Sequence, residues 1–248
     1  MSTLRRSDLT RIAWRSMLLQ ATFNYERQQG IGWAWALSPA LERVVPDPVE
    51  RRERLAEHTA YFNTQPTLAS FALGAVARLE EQRAEGTVDA DTVVRVKGAL
   101  GPALAAIGDR LFWFTLRPFA ACLGILFALS GTALGAVVLW FSYNALHLTL
   151  RLAGVGIGHG QGPSVLGGTL RKRLEGLVRR LSLLGCALLG ILVAALLAPG
   201  LNNGDMAFQA TLVGGLFFGM LSALRSRPSP TQWALGLGAL CLIAGWLR

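Results

Sequence analysis

The longest apolar segments of this chain have the length of a membrane crossing. Residues 181–199, 206–224 and the longer 119–150 contain no Asp, Glu, Lys or Arg. A hydrocarbon core of about 30 Å takes about 20 helical residues to cross. Inside lipid the backbone must satisfy its own hydrogen bonds, and segments of this length do so as helices. The sequence therefore predicts an all-α polytopic membrane protein, with a shorter last span at 232–247.

The distribution of charge predicts how these spans are oriented. The net charge of +9 arises in residues 110–248, where eleven Lys or Arg side chains accompany only Glu175 and Asp205. Lys and Arg favour the cytoplasmic side, so the N-terminal half, loop 151–180 and turn 225–231 are expected there. We expect no nucleic-acid partner, because the basic residues form short clusters between membrane-length segments.

The N-terminal half is predicted to be helical and to lie at the membrane surface or in the cytosol. Residues 7–27 have an apolar side at helical spacing and a basic flank, which favours an interfacial helix. The alternative is a helix packed against the cytosolic part of the protein. Residues 31–45 are too short to span and contain Pro39, which indicates an interfacial or re-entrant piece. Asp47, followed by Pro48, predicts a helix start.

The turn at Tyr61–Pro66 carries three neighbouring polar side chains. Pro66 disfavours a helical conformation at Gln65, so the chain is expected to present Asn63, Thr64 and Gln65 together. Amides and hydroxyls offer both donors and acceptors, as the lining of a path for a polar solute requires. Ordinary turn chemistry is the alternative explanation.

The stretch Lys97–Pro118 combines glycines and prolines with a mostly apolar run and one acid, Asp109, beside Arg110. Broken backbone at membrane depth is tolerated only where protein or a water-filled cavity surrounds it, so we expect a Gly/Pro-broken re-entrant region. Residues 119–150 then form either one tilted span plus a half-helix or a short hairpin. His147 on this segment is expected at the membrane interface.

Few side chains in the sequence indicate catalysis or cofactor binding. Cys122, Cys186 and Cys241 lie in apolar segments and are expected to be small buried hydrophobes. His58 and His159 are expected to be solvated, and the glycine-rich 154–162 is expected to be a flexible loop. We therefore predict no metal, no cofactor and no catalytic residues in this chain.

Four regions follow from these features. They are an N-terminal amphipathic and cytosolic or interfacial helical region (1–96), a broken-helix re-entrant region (97–150), a basic cytoplasmic loop (151–180) and a C-terminal bundle of transmembrane helices (181–248).

Three blocks of the sequence carry a resemblance to a known family. They are Trp14-Arg15-Ser16 continuing through Phe23-Asn24-Tyr25-Glu26-Arg27, then Tyr61-Phe62-Asn63-Thr64-Gln65-Pro66, and last Gly101-Pro102 with Ile107-Gly108-Asp109, Phe112-Trp113 and Thr115-Leu116-Arg117-Pro118. In this order they resemble the IID membrane subunit of mannose/fructose/sorbose-type sugar phosphotransferase systems. The resemblance extends over essentially the whole chain.

The resemblance implies a function and a set of partners. It implies a multi-pass subunit of the bacterial cytoplasmic membrane, with its N-terminus in the cytoplasm. Such a subunit pairs with a IIC membrane subunit in the lipid bilayer, forms higher oligomers of IIC–IID pairs and contacts the IIB (IIAB) phosphocarrier. The complex translocates a hexose-type sugar, which IIB phosphorylates at the expense of phosphoenolpyruvate.

The same resemblance suggests substrate-path residues, namely Asn63, Thr64, Gln65, Gly108 and Asp109. Two positions depart from the family pattern. Gln65 stands where the family often has His, and Arg110 stands where a small or apolar residue is usual. A direct Asp109–Arg110 pair would make the acid structural. The alternative function is therefore a membrane scaffold or regulatory subunit that no longer transports sugar.

Overall fold

The computed structural model describes residues 3–167 and 169–202, and these are mostly helical, with no β-strand among them. The helices are α1 (Arg6–Ser16), α2 (Gly30–Val44), α3 (Pro48–His58), α4 (Ala69–Ala84), α5 (Ala90–Leu111), α6 (Arg117–Ala128), α7 (Leu134–Gln161) and α8 (Thr169–Asn202). The chain divides into two compact units, Met1–Leu192 and Val193–Arg248. The description below concerns the first. The predicted spans at 206–224 and 232–247, turn 225–231 and Cys241 lie outside the described residues.

Two described helical segments are long and apolar enough to cross a membrane, judged by length and composition. They are Ala90–Ala128 and Thr169–Val193. The second overlaps the predicted span at 181–199, and the cluster from Arg171 to Arg180 lies on the first turns of α8. The prediction of an all-α protein with membrane-length helices is therefore confirmed for this part of the chain.

Helix α4 forms the centre of the core. Its residues from Ala69 to Leu79 are small or apolar on every side except for Ser70 and Arg78, and most are completely buried. A helix that is apolar all round must be surrounded by other elements. Helices α1, α2, α5 and α7 all contact α4.

The backbones of α4 and α7 touch at glycines. A Cβ atom on Gly74 would overlap the carbonyl oxygen of Val155, and one on Gly158 would overlap the carbonyl oxygen of Phe71. Small residues allow helices to approach this closely. Residues 154–161, predicted to lie in a flexible loop, are therefore part of a helix, because packing against α4 offsets the cost of glycine in a helix. The basic segment 151–180 is helical at both ends.

The predicted break at Gly101-Pro102 is wrong, because Pro102 lies inside α5. Helix α5 continues through one π-helical turn, Phe112–Leu116, into α6, so that Ala90–Ala128 is one helical segment. Proline removes one helical hydrogen bond, but neighbouring elements can compensate within a bundle. The π turn stands immediately before Arg117 and Pro118, where the missing N–H already changes the hydrogen-bond pattern.

Helices α6 and α7 form a hairpin around the turn at residues 129–133. Gly131 has φ +77° in this turn, a conformation that glycine adopts without strain. Gly124 and Gly135 lie at the contact between the two helices. Of the two alternatives for residues 119–150, the short hairpin is the observed one.

The N-terminal half differs from its prediction at two places. Helix α1 ends at Ser16, and turns follow it up to Gln29. Helix α2 runs through Pro39 without a break and buries Trp33, Leu37 and Leu41 in the core. The predicted start at Asp47 is confirmed, because its carboxylate accepts hydrogen bonds from the N–H groups of Val49 and Glu50.

Candidate functional site

The three sequence blocks meet in one place. The N–H of Gln29 donates to the carbonyl of Phe62 at 2.9 Å, and the N–H of Phe62 donates to the carbonyl of Arg27 at 3.3 Å. The side-chain amide of the buried Gln29 also forms two hydrogen bonds with the backbone of Thr64. It donates to the Thr64 carbonyl at 2.7 Å and accepts from the Thr64 N–H at 3.1 Å. The turn before Pro66 is therefore held to the end of the first block.

The polar side chains of this turn divide between the interior and the surface. The buried Thr64 hydroxyl donates to the carbonyl of Gly101 at 2.8 Å. The buried Gln65 amide oxygen accepts from the N–H groups of Thr67 and Leu68, at 2.8 and 3.0 Å, just before α4 begins. Asn63 is exposed. The three side chains do not face one direction, and turn chemistry accounts for the contacts of Gln65.

Gly108 lies directly against Gln65. A Cβ atom on Gly108 would stand 2.5 Å from the Gln65 Cβ and 3.2 Å from a methyl group of Leu68. Real Cβ atoms do not approach other atoms this closely, so glycine is what allows α5 to lie against the turn. The structure thus brings Thr64, Gln65 and Gly108 together.

Asp109 is half-buried on α5, one residue beyond this contact, and Arg110 is exposed. Within residues 3–167 and 169–202, no hydrogen bond or ion pair engages the Asp109 carboxylate. A direct Asp109–Arg110 pair, which would have made the acid structural, does not form. The face beside it is exposed, with Pro102, Ala106 and Trp113.

A second polar cluster lies beside the turn. It contains His147 and two residues that were not predicted from the sequence, Thr67 and Tyr143. The His147 Nδ1 lies 2.8 Å from the Thr67 hydroxyl. The imidazole stacks on Tyr143, with ring centroids 6.0 Å apart, and meets Phe112 edge-on at 6.1 Å. The spacing of Tyr143 and His147, one helical turn apart, was the available signal. His147 is therefore half-buried against protein groups.

Lys97 and His58 lie behind the site in the interior. The Lys97 ammonium donates to the His58 carbonyl at 2.9 Å and lies 5.3 Å from the centre of the Trp33 ring. Contact of a cation with an aromatic face is favourable when both are shielded from water. Lys97 thereby connects α5 to α2 and to the end of α3.

Both histidines that were expected to be solvated are instead buried. The His58 Nε2 lies 3.1 Å from Glu80, and the His159 Nε2 lies 2.7 Å from Glu81. Burial lowers the pKa of His58, although the carboxylate of Glu80 opposes this shift. Burial acts to raise the pKa of Glu80, but His58, Arg54 and Arg83 outweigh it and hold the pKa below its usual value.

The two described cysteines differ in exposure, and the described residues form no metal-binding cluster. Cys122 is half-buried and Cys186 is exposed, so the expectation that each would be buried is wrong for Cys186. No group of three or more His, Cys, Asp or Glu side chains in residues 3–167 and 169–202 is arranged to hold a metal ion.

Two helical segments of membrane length in a mostly helical chain fit an α-helical membrane protein. The family model described as "PTS system mannose/fructose/sorbose family IID component" matches residues 3–245. The chain belongs to this family of membrane components of sugar phosphotransferase transport systems.

Similarity to individual proteins supports the same family. The mannose-specific EIID component of Escherichia coli K12 is 38% identical over 197 residues, covering 77% of this chain and 68% of that protein. The cryo-EM structure of the mannose transporter ManYZ with microcin E492 contains a similar chain, with TM-score 0.63, 36% identity and coverage of 79% and 72%. A structure described only as a membrane protein has TM-score 0.75, 30% identity and coverage of 99% and 98%.

Proposed function

We propose that this chain works with a IIC membrane subunit to translocate a hexose-type sugar, which a IIB (IIAB) phosphocarrier then phosphorylates. The observation that carries the proposal is the carboxylate of Asp109, which has no partner among residues 3–167 and 169–202 and lies beside an exposed face of the helix Ala90–Ala128. The similar chain comes from a structure named as a mannose transporter. That face is where we place IIC and the sugar path.

The five predicted site residues take two roles in this proposal. Thr64 holds the turn to α5 through the Gly101 carbonyl, and Gly108 leaves room on α5 for the Gln65 side chain. The Gln65 amide oxygen accepts from the N–H groups of Thr67 and Leu68 within the turn. Asn63 and Asp109 retain access to the outside of the subunit. We therefore assign sugar contact to Asn63 and Asp109, and positioning of the path to the other three.

The chain itself carries no phosphoryl group in this proposal. A relay histidine must be accessible as a nucleophile. His58 and His159 are buried against Glu80 and Glu81, which supports assigning phosphoryl transfer to IIB. We place the subunit in the bacterial cytoplasmic membrane as a multi-pass protein within higher oligomers of IIC–IID pairs. Its N-terminal half and the basic start of α8 lie on the cytoplasmic side.

The scaffold or regulatory alternative rested on Gln65 and Arg110. Gln65 has a structural role in the turn, and Arg110 leaves the Asp109 carboxylate unpaired. Both departures are therefore compatible with a working sugar path. A transport measurement separates the two functions.

The test is the substitution Asp109→Asn, which keeps the shape and removes the charge. We expect phosphoenolpyruvate-dependent sugar uptake to fall at least tenfold while the subunit still enters the membrane and assembles. Asp91→Asn, at an exposed position of the same helix, is the matched control and should keep full uptake. Unchanged uptake with Asp109→Asn would remove the proposed role of this residue.

A further inference from the structure

The exposed apolar surface of α7 ends at a definite level. The large exposed side chains begin at Leu134, include Trp140, Phe141 and Leu148, and end at Leu152. Eighteen helical steps separate the first from the last, which corresponds to roughly 27 Å at about 1.5 Å per residue. This matches a hydrocarbon core of about 30 Å. We take Leu152, the last of these side chains, as the level at which lipid headgroups begin.

A groove between α1 and α7 opens at this level. Its volume is about 380 Å³, and it is lined by Arg6, Leu9, Thr10, Leu152, Ala153 and Gly156. The small residues of α7 create the space, since a Cβ atom on Gly156 would meet no atom within 4 Å. The α7 side of the groove is thus apolar and continues the exposed apolar surface of that helix, and the α1 side carries the cation of Arg6.

Arg6 is available for a ligand, whereas two other arginines near α1 are occupied. Arg43 pairs with Asp8 at 3.1 Å, and Arg11 pairs with Glu42 at 3.4 Å. Asp8 is buried and pairs with Arg43. The exposed Arg6 guanidinium has no hydrogen bond or ion pair within residues 3–167 and 169–202. Its charge at the end of an apolar groove is therefore complementary to a phosphate.

We propose that this groove binds an anionic phospholipid, with the headgroup phosphate on Arg6, the glycerol region in the space at Gly156, and the start of an acyl chain against Leu9 and Leu152. Arg and phosphate form strong charge-assisted hydrogen bonds. Arg5 is also exposed beside Arg6, and the two cations disfavour a lipid that carries its own positive charge, such as phosphatidylcholine. Trp14 at the other end of α1 is 61% exposed, as an aromatic side chain at a membrane interface commonly is.

The test measures lipid binding to the full chain purified in mild detergent. Phosphatidylglycerol, phosphatidylcholine and inorganic phosphate are titrated separately, and binding is followed by native mass spectrometry and by the thermal unfolding temperature. We expect phosphatidylglycerol to bind and to raise the unfolding temperature. We expect the other two probes to bind at least tenfold more weakly.

Two variants address the charge and the space of the groove independently. Arg6→Ala removes the cation, and Gly156→Leu fills the groove without a backbone clash. Each should weaken phosphatidylglycerol binding at least tenfold. The controls are Arg52→Ala, at an exposed position of α3, and Gly176→Leu, at an open position of α8, and both should bind as the unaltered protein does.

Several results would overturn the proposal. Binding unchanged in both Arg6→Ala and Gly156→Leu would show that lipid binds elsewhere. Equal binding of phosphatidylcholine would remove the role of charge, and equal binding of inorganic phosphate would show an anion site in place of a lipid site.

Discussion

At the residue scale, two glycines of α5 differ in whether their positions leave room for a side chain. Gly108 faces Gln65 and Leu68 at distances that exclude a Cβ atom, whereas a Cβ atom on Gly98 would meet nothing within 4 Å. Gly108 is therefore needed for close approach, and Gly98 is a helical residue that only adds conformational freedom to the unfolded chain.

The first prediction concerns these two positions. Gly108→Ala should lower the free energy of unfolding by about 1–3 kcal/mol, because a tightly packed contact must shift. It should also reduce sugar uptake, since Gln65 moves with the turn. Gly98→Ala should stabilise by about 0.5–1 kcal/mol, the usual gain in a helix. Thermal unfolding in detergent measures both, and equal effects of the two substitutions would contradict the contact.

Glu80 is the buried anion on which several cations converge. It is 0% exposed, and it accepts from Arg54 at 3.0 Å, lies beside His58 and pairs with Arg83 at 3.5 Å. The contacts with Arg54 and His58 hold α3 to α4. Removing one member leaves buried charge without compensation.

The second prediction is that Glu80→Gln destabilises the protein by about 3–5 kcal/mol, the range for breaking a buried ion pair. Glu53→Gln, at an exposed position of α3, should change stability by about 0.5 kcal/mol or less. Chemical unfolding followed by tryptophan fluorescence measures the difference. A loss below 1 kcal/mol for Glu80→Gln would mean that the ion pairs contribute little.

At the scale of elements, the contact between α4 and α7 holds the hairpin to the core. Gly74 and Gly158 allow the two backbones to touch, and Arg151 on α7 donates to the carbonyl of Ser16 at the end of α1. Helix α7 thus joins the α6–α7 hairpin to the N-terminal half of the chain.

The third prediction follows from this contact. Gly158→Ala places a methyl group against the backbone of α4 and should cost at least about 1–3 kcal/mol. Gly160→Ala, two residues away in open space, should be neutral or slightly stabilising. The fraction of protein that remains monodisperse after mild heating reports the difference. Similar behaviour of the two variants would argue against close helix contact.

At the scale of the whole molecule, buried titratable groups make stability depend on pH. The pKa of His58 lies below its ordinary value of 6.5, so between these two values the unfolded chain binds the extra proton. The pKa of Glu80 lies below its ordinary 4.5, and protonation of the unfolded carboxyl group again precedes that of the folded one. Both effects lower stability as pH falls.

The fourth prediction is therefore a specific pH profile. The free energy of unfolding should be nearly constant above pH 6.5 as far as His58 is concerned, decrease as pH falls below 6.5, and decrease further below 4.5. His58→Gln should reduce the slope between pH 5 and 6.5. It should also weaken the decrease below pH 4.5, because His58 is one of the groups that hold the pKa of Glu80 down. Identical slopes in both proteins would show that His58 does not control this window.

The sequence predicted the helical class, the cap at Asp47 and the blocks that meet at the site. It did not predict the helical continuity of Gly101-Pro102 or of residues 154–161. Local propensity argues against a helix at both places, because glycine and proline destabilise helices. Contacts with elements distant in sequence offset this cost: the turn at Thr64 contacts Gly101, and helix α4 contacts residues 154–161. His58 was predicted to be solvated for the same reason, because Glu80 lies 22 residues away.

The candidate site was predictable as a set of positions but not as a geometry. Polar character alone did not distinguish Gln65, which is buried in the turn, from Asn63, which is exposed. The pairing of Asp109 with Arg110 also depends on side-chain direction, and adjacent residues on a helix do not face each other.

The central claim is that this chain is one half of a membrane pair. The most direct measurement is purification of the protein from its native membranes in mild detergent, with quantitative mass spectrometry of the proteins that accompany it. The account predicts a IIC-type subunit in comparable amount, and phosphoenolpyruvate-dependent sugar phosphorylation when IIA and IIB units are added. Recovery of the chain alone, or with unrelated proteins, would contradict the account.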